Sequence, residues 1–229
     1  MQLKKLIIIY AVICTSIMVH AEVFTLWPRG KSSGHDLDTF LKSTPLITEP
    51  VLINGSKTAL KLSLVKMSIH EIISLLKKKF PTAKLASSGD SILVKQTLPN
   101  GWHKRLLLVY FGDFFPLLQI SMTLPPKLPK PSNWPQTLAI SSDGIPLRYM
   151  YFPNRKTWYG MFETSMEPSQ GLAEVSNSLR AQGWSGVTGE SSPNTRGRGE
   201  IFLKKKPLAI MLINFSESGI TTVLARKMR

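Results

Sequence analysis

Two stretches of the chain begin and end alike. The first, KTALKLSLVKM, spans Lys57–Met67, and the second, KTWYGMFETSM, spans Lys156–Met166. Each begins with Lys-Thr, ends with Met and leads into a segment with helical periodicity. Leu60, Leu62 and Leu64 alternate with polar residues, which is the period-two pattern of a half-buried strand. We interpret the two stretches as the same part of a structural unit that occurs twice, which restricts the chain to a tandem fold.

A helix is predicted directly after each stretch. In the first copy, Ser68 and Glu71 have the spacing of a capping box, and Pro81 would stop the helix. In the second copy, Pro168 suits the first helical turn, and Gly183 suits the position just after the last turn. The same element type is therefore predicted at matching places from two unrelated sets of signals.

Three strands are predicted after each helix. SILVKQ, RLLLVYFGD and LLQISMTL follow the first helix, and EIFLKK, AIMLINFSES and ITTVLARKM follow the second. RLLLVYF and AIMLINF are apolar on both faces, as are strands that are covered on both sides. The predicted fold class is α+β, with two tandem modules. Each module is a small, mainly antiparallel sheet with one helix, in the order β-β-α-β-β-β.

A proline-rich segment separates the two copies. Five prolines between Leu124 and Pro135 favour an extended, semi-rigid spacer, although a loop crossing the surface of one domain would also accommodate them. The predicted organisation is a signal peptide over 1–21, an N-terminal extension over 22–44, module 1 over 45–124, a proline-rich linker over 125–136, and module 2, a repeat of module 1, over 137–229.

The N-terminus has the layout of a secretory signal peptide. A short positive region precedes the apolar run Leu6–Met18, and small residues at Val19 and Ala21 predict cleavage between Ala21 and Glu22. The apolar run is shorter than the ~20 residues that a membrane-spanning helix needs, so we prefer a cleaved signal to an uncleaved anchor. The expected location is extracytoplasmic, either periplasmic or secreted.

Cleavage would remove the only cysteine, Cys14, and with it any disulfide or thiol chemistry. Loss of Lys4 and Lys5 would lower the formal net charge from +15 to +13. Such a charge favours anionic partners, although solubility alone would also explain it. We predict as partner an envelope protein, or an anionic glycan or lipid. We expect no specific nucleic acid, and the charge is compatible with a peripheral membrane contact.

The search for catalytic chemistry finds little. The chain has no Gly-x-Ser-x-Gly motif and no glycine-rich loop before a helix that could hold phosphate. His35, Asp36 and Asp38 form the densest polar cluster, and imidazole and carboxylate are ligand types for zinc or manganese. Helix capping by one of the aspartates is the interpretation we favour for that cluster. The sequence therefore predicts a protein that is not an enzyme and that carries no cofactor.

The remaining candidates are surface residues that combine cations with aromatic rings, as partner-binding faces do. His103 lies beside two cations in sequence, which predicts a lowered pKa. The candidate ligand-binding or partner-binding residues are Lys77, Lys78, Lys79, Lys104, Arg105, Arg196, Arg198, Lys204, Lys205, Lys206, Trp102, Trp158 and Tyr159.

The layout of strand, strand, helix and strands is similar to the helix-grip modules of outer-membrane assembly lipoproteins. This is a likeness of element order, and it assigns no role to any residue. From the sequence we predict an exported, non-enzymatic binding or assembly protein, an accessory subunit of a bacterial envelope or secretion complex that docks through basic and aromatic surface. The alternatives are a binder of anionic glycan or lipid at the cell envelope, and a small hydrolase.

Overall fold

The computed structural model describes residues 40–88, 91–111, 114–131, 133–187 and 197–228. The predicted signal peptide, its cleavage site at Ala21 and Glu22, and most of the predicted N-terminal extension lie outside these residues. The elements in the described ranges are β1 (Thr44–Ile53), β2 (Ser56–Val65), α1 (Ile69–Lys79), β3 (Lys84–Ser88), β4 (Ser91–Thr97), β5 (His103–Phe111), β6 (Phe114–Leu124), β7 (Ile145–Phe152), a 3₁₀ turn (Pro153–Arg155), β8 (Thr157–Glu163), α2 (Pro168–Ala181), β9 (Ser185–Gly186), β10 (Gly197–Lys205), β11 (Leu208–Ser216) and β12 (Ile220–Lys227).

The strands before and after each helix pair in the same order. In the first half of the chain this order is β1-β2-β6-β5-β4-β3, and in the second half it is β7-β8-β12-β11-β10-β9. Four strands follow each helix rather than the three predicted. The sequence KLASS of β3 has few β-branched or aromatic residues, and β9 has only two residues, so neither produces a recognisable strand pattern.

The prediction of two separate small sheets with one helix each is wrong. The strands form a single twelve-stranded antiparallel sheet. The link is made where Leu52 and Ile53 of β1 pair with Tyr151 and Met150 of β7. An edge strand presents unpaired backbone N–H and C=O groups, and pairing two such edges satisfies them. Local sequence patterns predict strands, but they do not show which edges will meet.

Backbone contacts divide the chain into two compact units. Among the described residues, the first contains those from 40 to 49 and from 58 to 127, and the second contains those from 50 to 57 and from 128 to 228. Asn54 and Gly55 form the turn between β1 and β2. Both residues have left-handed φ values, 48° and 84°, as the commonest two-residue hairpin turn requires. The predicted module boundaries remain predictions.

In the first unit, α1 packs on one side of the sheet. The capping box is confirmed, because the Glu71 N–H donates to Ser68 Oγ at 3.2 Å and the Ser68 N–H donates to Glu71 Oε2 at 2.7 Å. The hydrogen bonds from Ser68 lower the pKa of Glu71. Ile72 and Leu76 are buried on the sheet-facing side of the helix. They pack in one core with Val94, Leu106 and Leu108.

In the second unit, α2 begins with Pro168 at its first position, as predicted, and the N-cap residue Glu167 makes no side-chain capping bond. Gly183 follows the helix with a φ of 83°, and the Trp184 N–H donates to the Leu179 carbonyl at 3.0 Å, which closes the helix end as predicted. The buried helix residues pack in one core with Phe162, Phe202, Met211, Ile213 and Phe215.

The central strand of the first unit is buried on both faces. Leu106, Leu107 and Leu108 are consecutive residues of β5, and all three are buried. Because successive side chains of a strand point to opposite faces, the prediction that RLLLVYF is covered on both sides is confirmed. Neither helix in the part of the chain that the structure describes is long and apolar enough to cross a bilayer.

Candidate functional site

Three cations are aligned across neighbouring strands of the first unit. Lys84 of β3 is directly opposite Lys95 of β4, and Lys95 is directly opposite Arg105 of β5. Directly opposed residues of an antiparallel pair project from the same face of the sheet, and neighbouring strands are about 4.8 Å apart. We call Lys84, Lys95 and Arg105 the cationic row.

The cationic row lies on the face of the sheet that points away from α1. Leu106 and Leu108 of β5 belong to the core under the helix. Arg105 alternates with them along the strand and therefore projects to the other side. Lys84 is exposed, and Lys95 and Arg105 are half-buried. The row thus presents positive charge on a partly exposed strand face.

Burial and neighbouring charges both act on the cations of the row. Burial lowers the pKa of Lys95, and the charges of Arg105 and Lys84 lower it further. Burial also lowers the pKa of Arg105. Like charges that are directly opposite destabilise a strand pair. An anion bound across the row would remove this repulsion.

His103 adds a titratable group to the same face. Its Nδ1 lies 3.2 Å from the hydroxyl of Thr97, which is directly opposite on β4. Burial lowers the pKa of His103, followed by the charges of Lys95 and Arg105. The predicted direction of this pKa shift is confirmed. Lys104 is not among the causes, because it projects from the other face of the sheet.

Two of the predicted contact residues are not on the surface. Lys104 is on the helix-facing side of β5 and is only 3% exposed, and Tyr159 is also only 3% exposed. Adjacent strand residues project from opposite faces, so the sequence pair Lys104-Arg105 is divided between two environments. Gln96, directly opposite Lys104, is 1% exposed. Lys104 and Tyr159 are therefore corrected from candidate surface residues to buried residues.

The other predicted residues do not form one cluster. The aromatic candidates lie in different units: Trp102 is half-buried at the β4–β5 turn, and Trp158 of β8 is half-buried and stacks on Tyr151 at 4.2 Å between ring centroids. Arg196 lies outside the described residues. The remaining candidate cations lie at the end of α1 or on β10 and the turn that follows it. Lys204 is half-buried and the others are exposed; the full set is Lys77, Lys78, Lys79, Arg198, Lys204, Lys205 and Lys206.

The residues that sequence analysis missed are Lys84 and Lys95. Each occurs away from the basic clusters in the sequence, and only the strand register places it beside Arg105. Sequence analysis assigned Lys95 and Arg105 to predicted strands. It could not have shown that they are directly opposite each other.

Asp143 forms the densest hydrogen-bonded polar cluster of the second unit. Its carboxylate accepts hydrogen bonds from Thr164 Oγ1 at 2.6 Å, from Ser141 Oγ at 2.9 Å, and from Ser165 N–H and Oγ at 2.8 and 2.9 Å. The bond from Thr164 is the largest of the effects that hold the pKa of Asp143 well below its usual range. These bonds tie the turn before β7 to the segment before α2. Asp143 thus serves as a structural anion rather than as a proton donor.

Within the described ranges, no three histidine, cysteine or acidic residues are grouped so that they could hold a metal ion. The candidate ligands His35, Asp36 and Asp38 lie outside those ranges. No family model matches the chain, and comparisons with curated proteins and with solved structures give no match. The resemblance to helix-grip modules therefore remains one of element order, and the functional argument rests on this chain's own geometry.

Proposed function

We propose that the protein is an exported, non-enzymatic binding protein that docks on an anionic partner through the cationic row. The observation that carries the proposal is the alignment of Lys84, Lys95 and Arg105 on one face of three adjacent strands. Such an array has a cost in like-charge repulsion. A partner with negative charges at a similar spacing offsets that cost.

The shape of the surface favours an extended partner over a small molecule. The row lies on a strand face, where repeated negative charges of a partner can meet successive cations. Together with the predicted signal peptide, this geometry supports a role as an accessory subunit of an envelope or secretion complex. An anionic glycan or lipid of the envelope is the alternative partner, since it offers the same repeated charge. No observation on the described residues favours the small hydrolase.

The test compares two variants with the same change in charge. Lys84→Gln/Lys95→Gln removes two cations of the row, and Lys77→Gln/Lys78→Gln removes two exposed cations at the end of α1. If each cation near an anionic surface contributes about 1 kcal/mol, the row variant should bind roughly 30-fold more weakly. The control variant should bind within about threefold of the wild type, because its cations lie outside the row.

Binding is measured to three immobilised probes: envelope extract proteins, a polyuronate, and vesicles that contain phosphatidylglycerol. A row-dependent, salt-resistant complex with one envelope protein supports the accessory-subunit role. Row-dependent binding to polyuronate or vesicles that salt abolishes supports the glycan or lipid alternative. Equal losses in the row and control variants would show that only net charge matters, and would overturn the proposal.

A further inference from the structure

The second unit contains a groove that is separate from the cationic row. It has a volume of about 460 Å³ and lies between the C-terminal half of α2, residues 136–140, and strands β10, β11 and β12. This volume falls within the range of roughly 300–1,000 Å³ that is typical of small-molecule sites. The groove is therefore large enough for a ligand rather than for a few water molecules.

The floor of the groove is apolar, with side chains that are at most 9% exposed. The lining also includes the polar residues Gln136, Thr137, Ser178 and Gln182. Ala225 of β12 is directly opposite Met211 of β11, and both lie on the side of the sheet that faces α2. Ala209, two residues before Met211, projects from the same side. Leu138 and Leu179 complete the apolar lining. The short alanine side chains leave space beneath the helix end that larger side chains would fill.

Two lysines stand on either side of the open alanine. Ala209 of β11 is directly opposite Lys204 of β10 and directly opposite Lys227 of β12. The two lysines are thus two strand spacings apart, or about 9–10 Å between their backbones. Lys204 Nζ lies 5.8 Å from the centroid of the Trp184 ring, a distance at which a cation is attracted to the ring face. Both lysines and Trp184 line the groove.

The charge at this end of the groove is not neutralised by the described residues. Among the described residues, no carboxylate lies within ion-pair distance of Lys204 or Lys227. Glu200, the acidic residue of β10, instead accepts a hydrogen bond from Ser176 Oγ at 2.9 Å and lies 3.8 Å from Arg180. An apolar floor with two cations at its rim is complementary to a ligand that has a hydrocarbon part and a negative head.

We propose that the groove binds a single-chain anionic amphiphile, with its acyl chain on the apolar floor and its carboxylate or phosphate head between Lys204 and Lys227. Neither half of such a ligand suffices alone, because the floor offers no polar partner to the head and the rim offers no cover to the chain. This site is independent of the cationic row, which belongs to the first unit and uses different residues.

The experiment titrates the full chain with dodecanoate, dodecyl phosphate and dodecyltrimethylammonium below their micelle concentrations. Calorimetry gives stoichiometry and affinity. A change in Trp fluorescence on ligand addition reports binding at the groove if the change is absent in Trp184→Phe. One equivalent of each anionic amphiphile should bind, and the cationic amphiphile should bind at least tenfold more weakly. Comparing the carboxylate with the phosphate identifies the head group that the rim prefers.

Lys204→Gln/Lys227→Gln should weaken dodecanoate binding at least tenfold, and Ala209→Leu should abolish it by filling the groove. Lys77→Gln/Lys78→Gln is the charge-matched control and should bind like the wild type. Lys84→Gln/Lys95→Gln should also bind dodecanoate with wild-type affinity. The groove proposal and the proposed function of the cationic row can therefore fail independently of each other.

Three outcomes would overturn the proposal. The first is unchanged dodecanoate affinity in folded Lys204→Gln/Lys227→Gln, which keeps its core residues and so remains informative if Ala209→Leu misfolds. The second is equal affinity for the cationic amphiphile, which would indicate an unspecific apolar surface. The third is binding of an acidic peptide that lacks an acyl chain in place of dodecanoate, which would assign the groove to a protein partner.

Discussion

The two helices differ at their fourth position, where α1 places the large side chain of Ile72 in the core of the first unit and α2 has Gly171. Ile72 and Leu76 of α1 are buried against strands that present Leu106 and Leu108. In α2 the corresponding part of the helix carries Gly171, and the ring of Phe215 fills the space where a side chain would stand. At this position the side-chain volume thus comes from the helix in one unit and from the sheet in the other. The same strand order accommodates both, because a core requires filled space rather than particular residues.

The two units also place their cations on opposite sides relative to their own helices. The second residue pair from the β4–β5 turn is Gln96 and Lys104, and both are buried on the side of α1. The second pair from the β10–β11 turn is Lys204 and Ala209, which line an open groove on the side of α2. The cationic row of the first unit lies on the face away from its helix. Strand register and face therefore locate a charged site, and the number of lysines does not.

The largest expected effect comes from emptying the helix side of the first core. Ile72→Ala removes a fully buried side chain and should lower the free energy of unfolding by about 2–5 kcal/mol. Urea unfolding followed by circular dichroism measures the change. Ile73→Ala, at the next and less buried position, is the control and should cost less. A loss below about 1 kcal/mol for Ile72→Ala would mean that α1 is not packed as described.

The opposite change tests the second core. Gly171→Ala would place a Cβ in overlap with the Phe215 ring, and overpacking costs about 1–3 kcal/mol. The gain in helix propensity, about 1 kcal/mol, offsets part of this, so a net loss of up to about 2 kcal/mol is expected in the same urea assay. Adding Phe215→Leu should make the Gly171→Ala change neutral or stabilising. A stabilising effect of Gly171→Ala alone would contradict the close approach.

The two helices also differ in capping, because α1 has a capping box at Ser68 and α2 has no side-chain capping bond at Glu167. Ser68→Ala removes the hydroxyl that accepts from the Glu71 N–H, which is one half of the α1 capping box, and should lower the free energy of unfolding by about 0.5–2 kcal/mol. Glu167→Ser places a capping hydroxyl before Pro168, with Gln170 at the position that completes a capping box, and should raise it by up to about 1 kcal/mol. Thermal unfolding of both variants measures these changes, and equal signs would refute the difference in capping.

The smallest expected effect is a pH dependence that belongs to the first unit, since all four histidines precede residue 104. Because the pKa of His103 is lowered in the folded state, the unfolded chain binds the proton more readily. The contribution of His103 to stability is therefore complete above about pH 6.5, the ordinary histidine pKa, and is lost as the pH falls through its lowered value. His103→Gln should remove this dependence in unfolding experiments between pH 7.5 and 5.

Anion binding should respond to pH in the opposite direction. Protonated His103 adds positive charge beside Lys95 and Arg105, so binding of a polyuronate to the cationic row should strengthen as the pH falls toward 5.5. His70→Gln, which changes an exposed histidine of α1, is the control and should keep the wild-type pH profile. An unchanged profile in His103→Gln would show that this imidazole does not contribute to the binding face.

By itself, the sequence determined the local elements. Ser68 with Glu71, Pro168 and Gly183 marked the helix ends, Asn54-Gly55 marked a hairpin, and alternating leucines marked strands, because capping bonds, allowed φ values and side-chain periods act within a few residues. Only the tertiary structure decided that the strands form a single sheet, that Lys104 is buried while Arg105 faces the other side, and that Lys84, Lys95 and Arg105 are aligned. These features depend on backbone pairing between distant segments, which no short stretch of sequence specifies.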